Sequence, residues 1–480
     1  MKTYDVAVIG GGLAGLECAS ILSKEGMSVV VIEQGDTTGG FFQPFKRRGK
    51  VIDSSVHYIG SLDEGQFMER FFSYLDITNK VDFVRMDNDE FESVYFNGKC
   101  YPMAMGHKNF ADRLTEFFPQ ERENLRTYID TIKKTSCLSI ENVRSGKGFS
   151  TETIQNVTVS VDSVINSLIC SPVLRNVLTG NSIIYSPEKD ITPFYVHAMA
   201  NNSYIESSWR IRGGAFRITD ALTESIRKNG GDVKCRTEVK SILTKDKKAI
   251  GVETNNGEKI FARKVISSLH PQLTTNLLGP DAQLKESYRR RIGELKNSGS
   301  LFSLYVILKP NKFKYINKNL HLINGRPLMV SFQPPAGESD YADVVTLITP
   351  MSYDEVAKWG DSTPMSRGDD YLEFKNQFAE ELIKRIEEIL PDFRKAIDFT
   401  YSATPLTFRD YVKTPFGSVY GVMKDCNKPL STFLPVKSRV ENLYMAGQSI
   451  NLHGVMGVTF TSLLTCSEIL GNGLIVKMGL

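Results

Sequence analysis

The sequence predicts an α/β protein: a Rossmann-type domain built on a parallel sheet, joined to a second, discontinuous α+β domain. Three observations predict it. The opening stretch Tyr4–Glu33 runs strand, glycine turn, helix, strand, the order of a βαβ unit. Short apolar strands recur after residue 230 and again near residue 443. A length of 480 residues also exceeds what one hydrophobic core organises.

In the opening stretch, Asp5–Ile9 are an apolar, β-branched run of strand length. Gly10-Gly11-Gly12-Leu13-Ala14-Gly15 satisfies G-x-G-x-x-G. A helix is expected over Leu16–Glu25 and ended by Gly26; a second strand follows over Met27–Ile32, with Glu33 at its end. Gly10 permits the tight turn out of the strand. Gly12 lets a pyrophosphate approach the backbone, and Gly15 lets the helix pack closely on the strand. Leu13 and Ala14 lie just before the helix, whose N-terminus offers free N–H groups and a positive dipole end to the phosphates. Glu33, followed by Gln34, can accept hydrogen bonds from ribose hydroxyls and would repel a 2′-phosphate. A glycine turn that binds nothing is the alternative, and the complete strand–helix–strand–acid context argues against it.

Gly39-Gly40 follow, then the basic segment Lys46-Arg47-Arg48 and Val51-Ile52-Asp53. A second glycine pair just beyond the ribose acid resembles the FAD proteins of the glutathione-reductase-like superfamily, where this loop passes the ribitol and isoalloxazine. No second G-x-G-x-x-G occurs later in the chain. The single site is therefore assigned to FAD, with NAD(P)H a candidate external electron donor.

Composition sets bounds. Hydrophobic residues make up 41% and charged residues 24% of the chain, as in a globular protein. A net charge of +3 does not suggest nucleic-acid binding. The 7 cysteines are scattered without a CxxC, which argues against a redox disulfide, a zinc site or a disulfide framework, and no metal ligand set is expected. Only three residues precede Tyr4, no apolar run is long enough to span a bilayer, and the tail GNGLIVKMGL is too short for an anchor. The expected location is cytoplasmic, with peripheral membrane contact a further candidate. Oligomeric state is not legible.

Asp53–Gly60 reads as a segment passing close to a ligand, and His57 and Tyr58 are candidates for proton handling beside a flavin or substrate. The alternative is a half-buried histidine satisfied by backbone. A helix is expected over Glu64–Leu75, a hairpin over Phe91–Tyr101 around Asn97-Gly98, and a mostly helical part over 110–182, either a lid or plain packing. Trp209–Ala215 leads into a helix over Phe216–Asn229. A β-meander over Asp232–Cys235, Thr237–Leu243, Ala249–Thr254 and Glu258–Phe261 follows, then a separate buried strand at Val265–Ser268. In FAD proteins of this superfamily the backbone at Val239 meets the adenine.

Leu301–Leu308, Leu328–Phe332 and Val344–Thr349 are strands of a second sheet, and one amphipathic helix stops at Pro391. Lys309–Lys318 mixes lysines with Phe313 and Tyr315, so it is either a contact for an anionic membrane surface or a solvated loop. Asn442–Gln448 is a short strand closing on Gly447, and Gly454-Val455-Met456-Gly457 opens an apolar helix over Val458–Leu470. In a flavoprotein that helix N-terminus would face the N1/C2=O edge of the ring. The expected first domain comprises 1–100, 205–275 and 435–480, and the second 101–204 and 276–434.

Together, VAVIGGGLAGL, Gly39-Gly40, VIDSSVHYIG, RGGAFRITDAL, TPLTFRDYVKTPFGSVYG and LYMAGQSINLHGVMG resemble the phytoene desaturase-like flavoproteins, closest to the carotenoid isomerase and retinol saturase branch. The resemblance covers the whole chain. It implies FAD held by Gly10, Gly12, Leu13, Ala14, Gly15, Glu33, Gln34, Gly39, Gly40, His57, Val239, Gly447, Gln448, Gly454, Val455 and Met456. It also implies desaturation or saturation of a hydrophobic polyene or isoprenoid-like lipid, with His57, Tyr58 and His453 as catalytic candidates. Two positions depart from the pattern: Gln448 stands where relatives often carry an acid, and His453 where the branch tends to have proline. Competing readings are a redox-neutral cis–trans isomerase, an amine oxidase and a non-catalytic flavin-binding protein.

Overall fold

The computed structural model describes residues 2–145, 151–337, 339–471 and 473–480. Strand β1 (Thr3–Ile9), helix α1 (Leu13–Lys24) and strand β2 (Val29–Ile32) form the expected βαβ unit. β1 lies centrally, parallel to β2 on one side and to the strand Lys259–Ser267 on the other. Asp232–Lys234 adds beyond β2, also parallel, and Leu443–Met445 pairs in parallel with Lys259–Ser267. The four residues of β2 and nearly all of β1 are buried, because helices cover one face and an antiparallel layer the other.

Two sequence readings change here. Asp232–Lys234 is not the first strand of a meander but the edge of the parallel sheet. Glu258–Phe261 and Val265–Ser268 are one continuous strand. Its first half pairs antiparallel with Lys248–Thr254, and its second half pairs parallel with Leu443–Met445. Arg263 and Lys264 interrupt the apolar pattern and disguise that continuity.

The second sheet runs Ile397–Ala403, Ser300–Leu308, Val344–Met351, Leu328–Phe332, Asn319–Leu322, Glu92–Phe96, Lys99–Met103. Its last two strands are the expected hairpin, turning at Asn97 and Gly98, both at positive φ as a two-residue hairpin turn demands. The hairpin joins this sheet through Asn319↔Glu92, so a boundary at residue 100 would cut through it; the crossing comes before Phe91. The 110–182 part is helical over Arg122–Ser145, Thr151–Thr158, Val161–Leu168 and Pro172–Leu178, with 146–150 outside the described residues. In Lys309–Lys318, Phe313 packs against Phe332 and Phe393, and the ring of Tyr315 lies beside Arg210. The aromatic residues of that segment therefore point inward. Among the described residues no helix is long and apolar enough to cross a membrane.

Candidate functional site

A cleft of about 1460 Å³ runs between the two sheets. One end is polar and glycine-rich; the other is apolar. At the polar end the chain leaves β1 through Gly10 (φ +97°) and enters α1 with Gly12 as its N-cap. No side chain caps this helix and no acid occupies its first turn, so its free amides at Leu13 and Ala14 face the cleft. Gly12 and Gly39 bridge in parallel, and a Cβ on Gly40 would stand 3.2 Å from Gly12 Cα. Both glycine pairs thus make one smooth backbone surface.

Glu33 lines the cleft just beyond this surface. Its Oε2 accepts from the Gly11 amide and its Oε1 from the Gly35 amide, each at 2.7 Å. Each carboxylate oxygen retains a lone-pair site for a further donor. Gln34 and Val239 line the same end. Gly15 does not reach the cleft: a Cβ there would lie 2.0 Å from Gly10 O, so it serves the contact of helix on strand.

The C-terminal segment approaches from the opposite side. Gly447 (φ +104°) and Gln448 line the cleft, as do Gly454 and Val455 at the start of the helix Gly454–Leu470. That helix begins four residues earlier than expected. It too lacks a capping side chain and a first-turn acid. Two uncapped helix N-termini therefore converge on one cavity. Met456 is turned away into the hydrophobic core behind α1. His453 does not line the cleft either; its ring packs on Tyr420 at 4.7 Å, and burial pushes it down to about 3, so it is uncharged. Met456 points away because successive residues of the first turn point about 100° apart, while His453 precedes the helix in extended backbone.

Ser54, Ser55, Val56, His57 and Tyr58 all line the cleft, as the sequence suggested. Burial, reinforced by the charge of Arg210, pushes the His57 ring down to about 4. It is a neutral imidazole at physiological pH. Tyr58 is buried, stacks on Tyr204 with centroids 4.1 Å apart, and donates a 2.6 Å hydrogen bond to Glu92 Oε1. Burial, with Glu92 close by, raises its phenol well above the usual range.

Beyond these residues the cleft wall includes Ile183, Ile184, Leu301, Met329, Ile348 and Val419, with the hydroxyl of Ser303 beside Leu301. Among the described residues the acids on the cleft surface are Glu33, Glu238 and Asp410. The first two belong to the polar end, and Asp410 at the rim is paired with Arg367 and Arg409.

Sequence reasoning missed several residues here. Lys424 is buried beneath Ser449, its Nζ donating to the carbonyls of Thr432, Ser449 and Ile450 at 2.8–2.9 Å. Tyr204, Tyr420 and His270 also line the cleft. None carries a local signal, because each reaches the site from an otherwise ordinary element.

Comparison with known proteins adds the following. The family profile for flavin containing amine oxidoreductases matches residues 13–470. All-trans-retinol 13,14-reductase of Danio rerio is 26% identical, over 98% of this chain and 86% of that one. The 4,4'-diaponeurosporene oxygenase of Staphylococcus aureus (strain USA300) is 23% identical, over 95% of each. Among solved structures, a triple mutant of putrescine oxidase redesigned in its cofactor binding superimposes with a TM-score of 0.66 at 14% identity, covering 98% of this chain and 99% of that one.

Proposed function

The chain belongs to the flavin containing amine oxidoreductase family, and we propose that within it the enzyme makes or removes a carbon–carbon double bond in a hydrophobic polyene or isoprenoid-like lipid. It is an FAD-dependent oxidoreductase. The residues present fit the cofactor: a glycine surface that side chains would fill, two uncapped helix N-termini for negative charge, and Glu33 with acceptor capacity to spare. Gly10, Gly12, Leu13 and Ala14 would hold the pyrophosphate. Glu33 and Gln34 would hold the ribose, with Val239 against the adenine. Gly39, Gly40, Gly447, Gln448, Gly454 and Val455 would flank the ring end. When bound, the flavin supplies the two-electron chemistry of hydride transfer.

The observation that carries the substrate class is the apolar end of the cleft. Six aliphatic or thioether side chains wall it, and no unpaired carboxylate faces it. An ammonium substrate would be stranded there without a counter-charge, at a cost of several kcal/mol or more. The aromatic pair Tyr58–Tyr204 is closed on itself at 4.1 Å, with no gap to take an amine between the rings. A long conjugated chain instead matches the walls and buries its apolar surface. The names of the retinol reductase and the diaponeurosporene oxygenase point to the same substrate chemistry.

For saturation the reducing equivalents must come from outside, and NAD(P)H is the donor we propose. The deciding experiment is anaerobic incubation of the purified holoprotein with a dispersed polyene, with and without NADPH, followed by product mass. A gain or loss of two hydrogens supports the proposal. An isomer of unchanged mass makes the enzyme a cis–trans isomerase. Hydrogen peroxide released on an alkylamine, with no change in any polyene, overturns the substrate class.

A further inference from the structure

Behind the apolar end of the cleft lies a buried carboxylate. Glu92, in the hairpin strand Glu92–Phe96, is fully buried. Its Oε1 accepts from Tyr58 Oη at 2.6 Å and its Oε2 from Asn181 Nδ2 at 3.1 Å. His321 Nε2 stands 3.3 Å from Oε1 but is not aligned for a hydrogen bond. Arg210, also fully buried, binds Asn319 and Ser331 rather than any carboxylate among the described residues. An ionised acid held by neutral donors in the interior is costly. What a carboxylate adds over an amide of the same shape is the capacity to take up and return a proton.

The neighbours extend the pattern. Asn181 Nδ2 also donates to Asn201 Oδ1 at 2.9 Å, and Asn201 Nδ2 reaches His197 Nδ1 at 3.2 Å. His197 is bracketed by Tyr185 and Tyr128, each at 2.8 Å. A continuous buried polar chain thus leads away from Tyr58, and Tyr58 is its member that lines the cleft.

We propose that Tyr58 and Glu92 form a proton relay: Tyr58 exchanges a proton with the substrate, and Glu92, a positioning residue, takes up or returns that proton through the phenol. The inference rests on the carbon–carbon reading above. With FAD bound, removing two hydrogens from adjacent carbons would send one, with its electron pair, to the oxidised flavin, which a quinone or dioxygen would reoxidise. The other hydrogen leaves as a proton. It bonds to Tyr58 Oη as the phenolic proton crosses to Glu92 Oε1, and the new double bond forms from the remaining C–H electrons. Saturation reverses each step, starting from a protonated Glu92 and from flavin reduced by a nicotinamide. The titratable or charged groups facing Glu92 are Tyr58, Tyr204, His321 and, through Tyr58, Arg210.

The test uses holoprotein carrying ¹³Cζ-tyrosine, with Glu92→Gln and Tyr58→Phe. Tyr58→Phe identifies the Tyr58 resonance by its loss. In wild type that resonance is displaced towards the phenolate position by the carboxylate, and Glu92→Gln returns it to the neutral phenol position. On the substrate turned over by wild type, either variant lowers kcat about 10²-fold with KM within about threefold, as loss of general acid–base catalysis does. The double variant is no slower than either single one, since the two act as a unit. An unmoved Tyr58 resonance, or kcat within twofold of wild type, overturns the relay. If Glu92→Gln does not fold, Tyr58→Phe alone decides: full activity overturns the relay, and a 10²-fold loss with a lost solvent isotope effect supports it. If wild type converts no polyene, the substrate reading fails, while the resonance shift still judges the Tyr58–Glu92 pair.

Discussion

Glu17 Oε1 accepts a 2.7 Å hydrogen bond from Thr459 Oγ1, which joins α1 to the helix Gly454–Leu470 inside the protein. Burial pushes the Glu17 carboxyl up to about 8, against the opposing pull of that hydrogen bond. The acid is therefore neutral at physiological pH, and its placement stabilises the native state only while it keeps its proton. The native pKa lies above the unfolded one, so this stability is complete below about pH 4.5 and is lost as pH rises towards 8. Glu17→Gln, always neutral, should become progressively more stable than wild type across that window, by up to about 1.4 kcal/mol per pH unit. Urea unfolding at pH 5 and pH 8 checks it, and a gap that does not widen with pH rejects it.

Gly12 and Gly15 have different tasks, and alanine separates them. A Cβ on Gly12 meets nothing nearer than Gly40 Cα at 4.0 Å. Gly12→Ala should melt within about 2 °C of wild type as apoprotein, a half-buried change with no clash, yet retain little FAD. A Cβ on Gly15 would sit 2.0 Å from Gly10 O, so Gly15→Ala should destabilise the apoprotein itself by about 3 kcal/mol or more. Melting curves and the flavin content of the purified variants decide. A yellow Gly12→Ala protein would place the pyrophosphate elsewhere.

His197 gives the opposite pH sign. Burial pushes it down to about 3, between the hydroxyls of Tyr128 and Tyr185. Its contribution is present above the unfolded histidine range near pH 6.5 and is lost as pH falls towards 3. His197→Gln should lower stability at pH 7.5, through the lost hydrogen bonds, but flatten the acid slope between pH 6.5 and pH 5. Equal slopes in the two proteins would show that His197 is not held neutral.

Lys424 clamps the segment that leads into the helix Gly454–Leu470. Lys424→Met leaves the carbonyls of Thr432, Ser449 and Ile450 without their buried donor. At about 1–3 kcal/mol for each group left unsatisfied, we expect a loss of about 3 kcal/mol or more. Because Gln448 and Ser449 line the cleft, FAD affinity should fall with it. Unchanged FAD affinity in a destabilised variant would confine Lys424 to the fold.

The glycine end of the cleft was legible in the sequence because each residue there does a local backbone job. Gly10 and Gly447 turn at positive φ, and Gly12 keeps Cβ bulk away. Asn97-Gly98 announced its hairpin for the same reason. What stayed hidden depends on pairings between distant residues. Glu92 looks like one polar residue in an alternating strand until Tyr58, 34 positions earlier, and Asn181, 89 positions later, close on it. Lys424 resembles a surface lysine until three carbonyls surround it. Met456 and His453 were misplaced because a helix start legible only to a few residues leaves the direction of each side chain undetermined.

The strand Lys259–Ser267 changes neighbours midway along one edge, and its second partner is Leu443–Met445. During synthesis that half-edge stands bare while nearly two hundred further residues emerge, at about 5–20 residues per second. The nascent chain therefore spends on the order of ten seconds with an apolar, hydrogen-bond-hungry rim exposed, a period in which chaperone capture or self-association competes with maturation. Expression yield should then respond to translation speed and growth temperature, through a vulnerability that the finished molecule no longer displays.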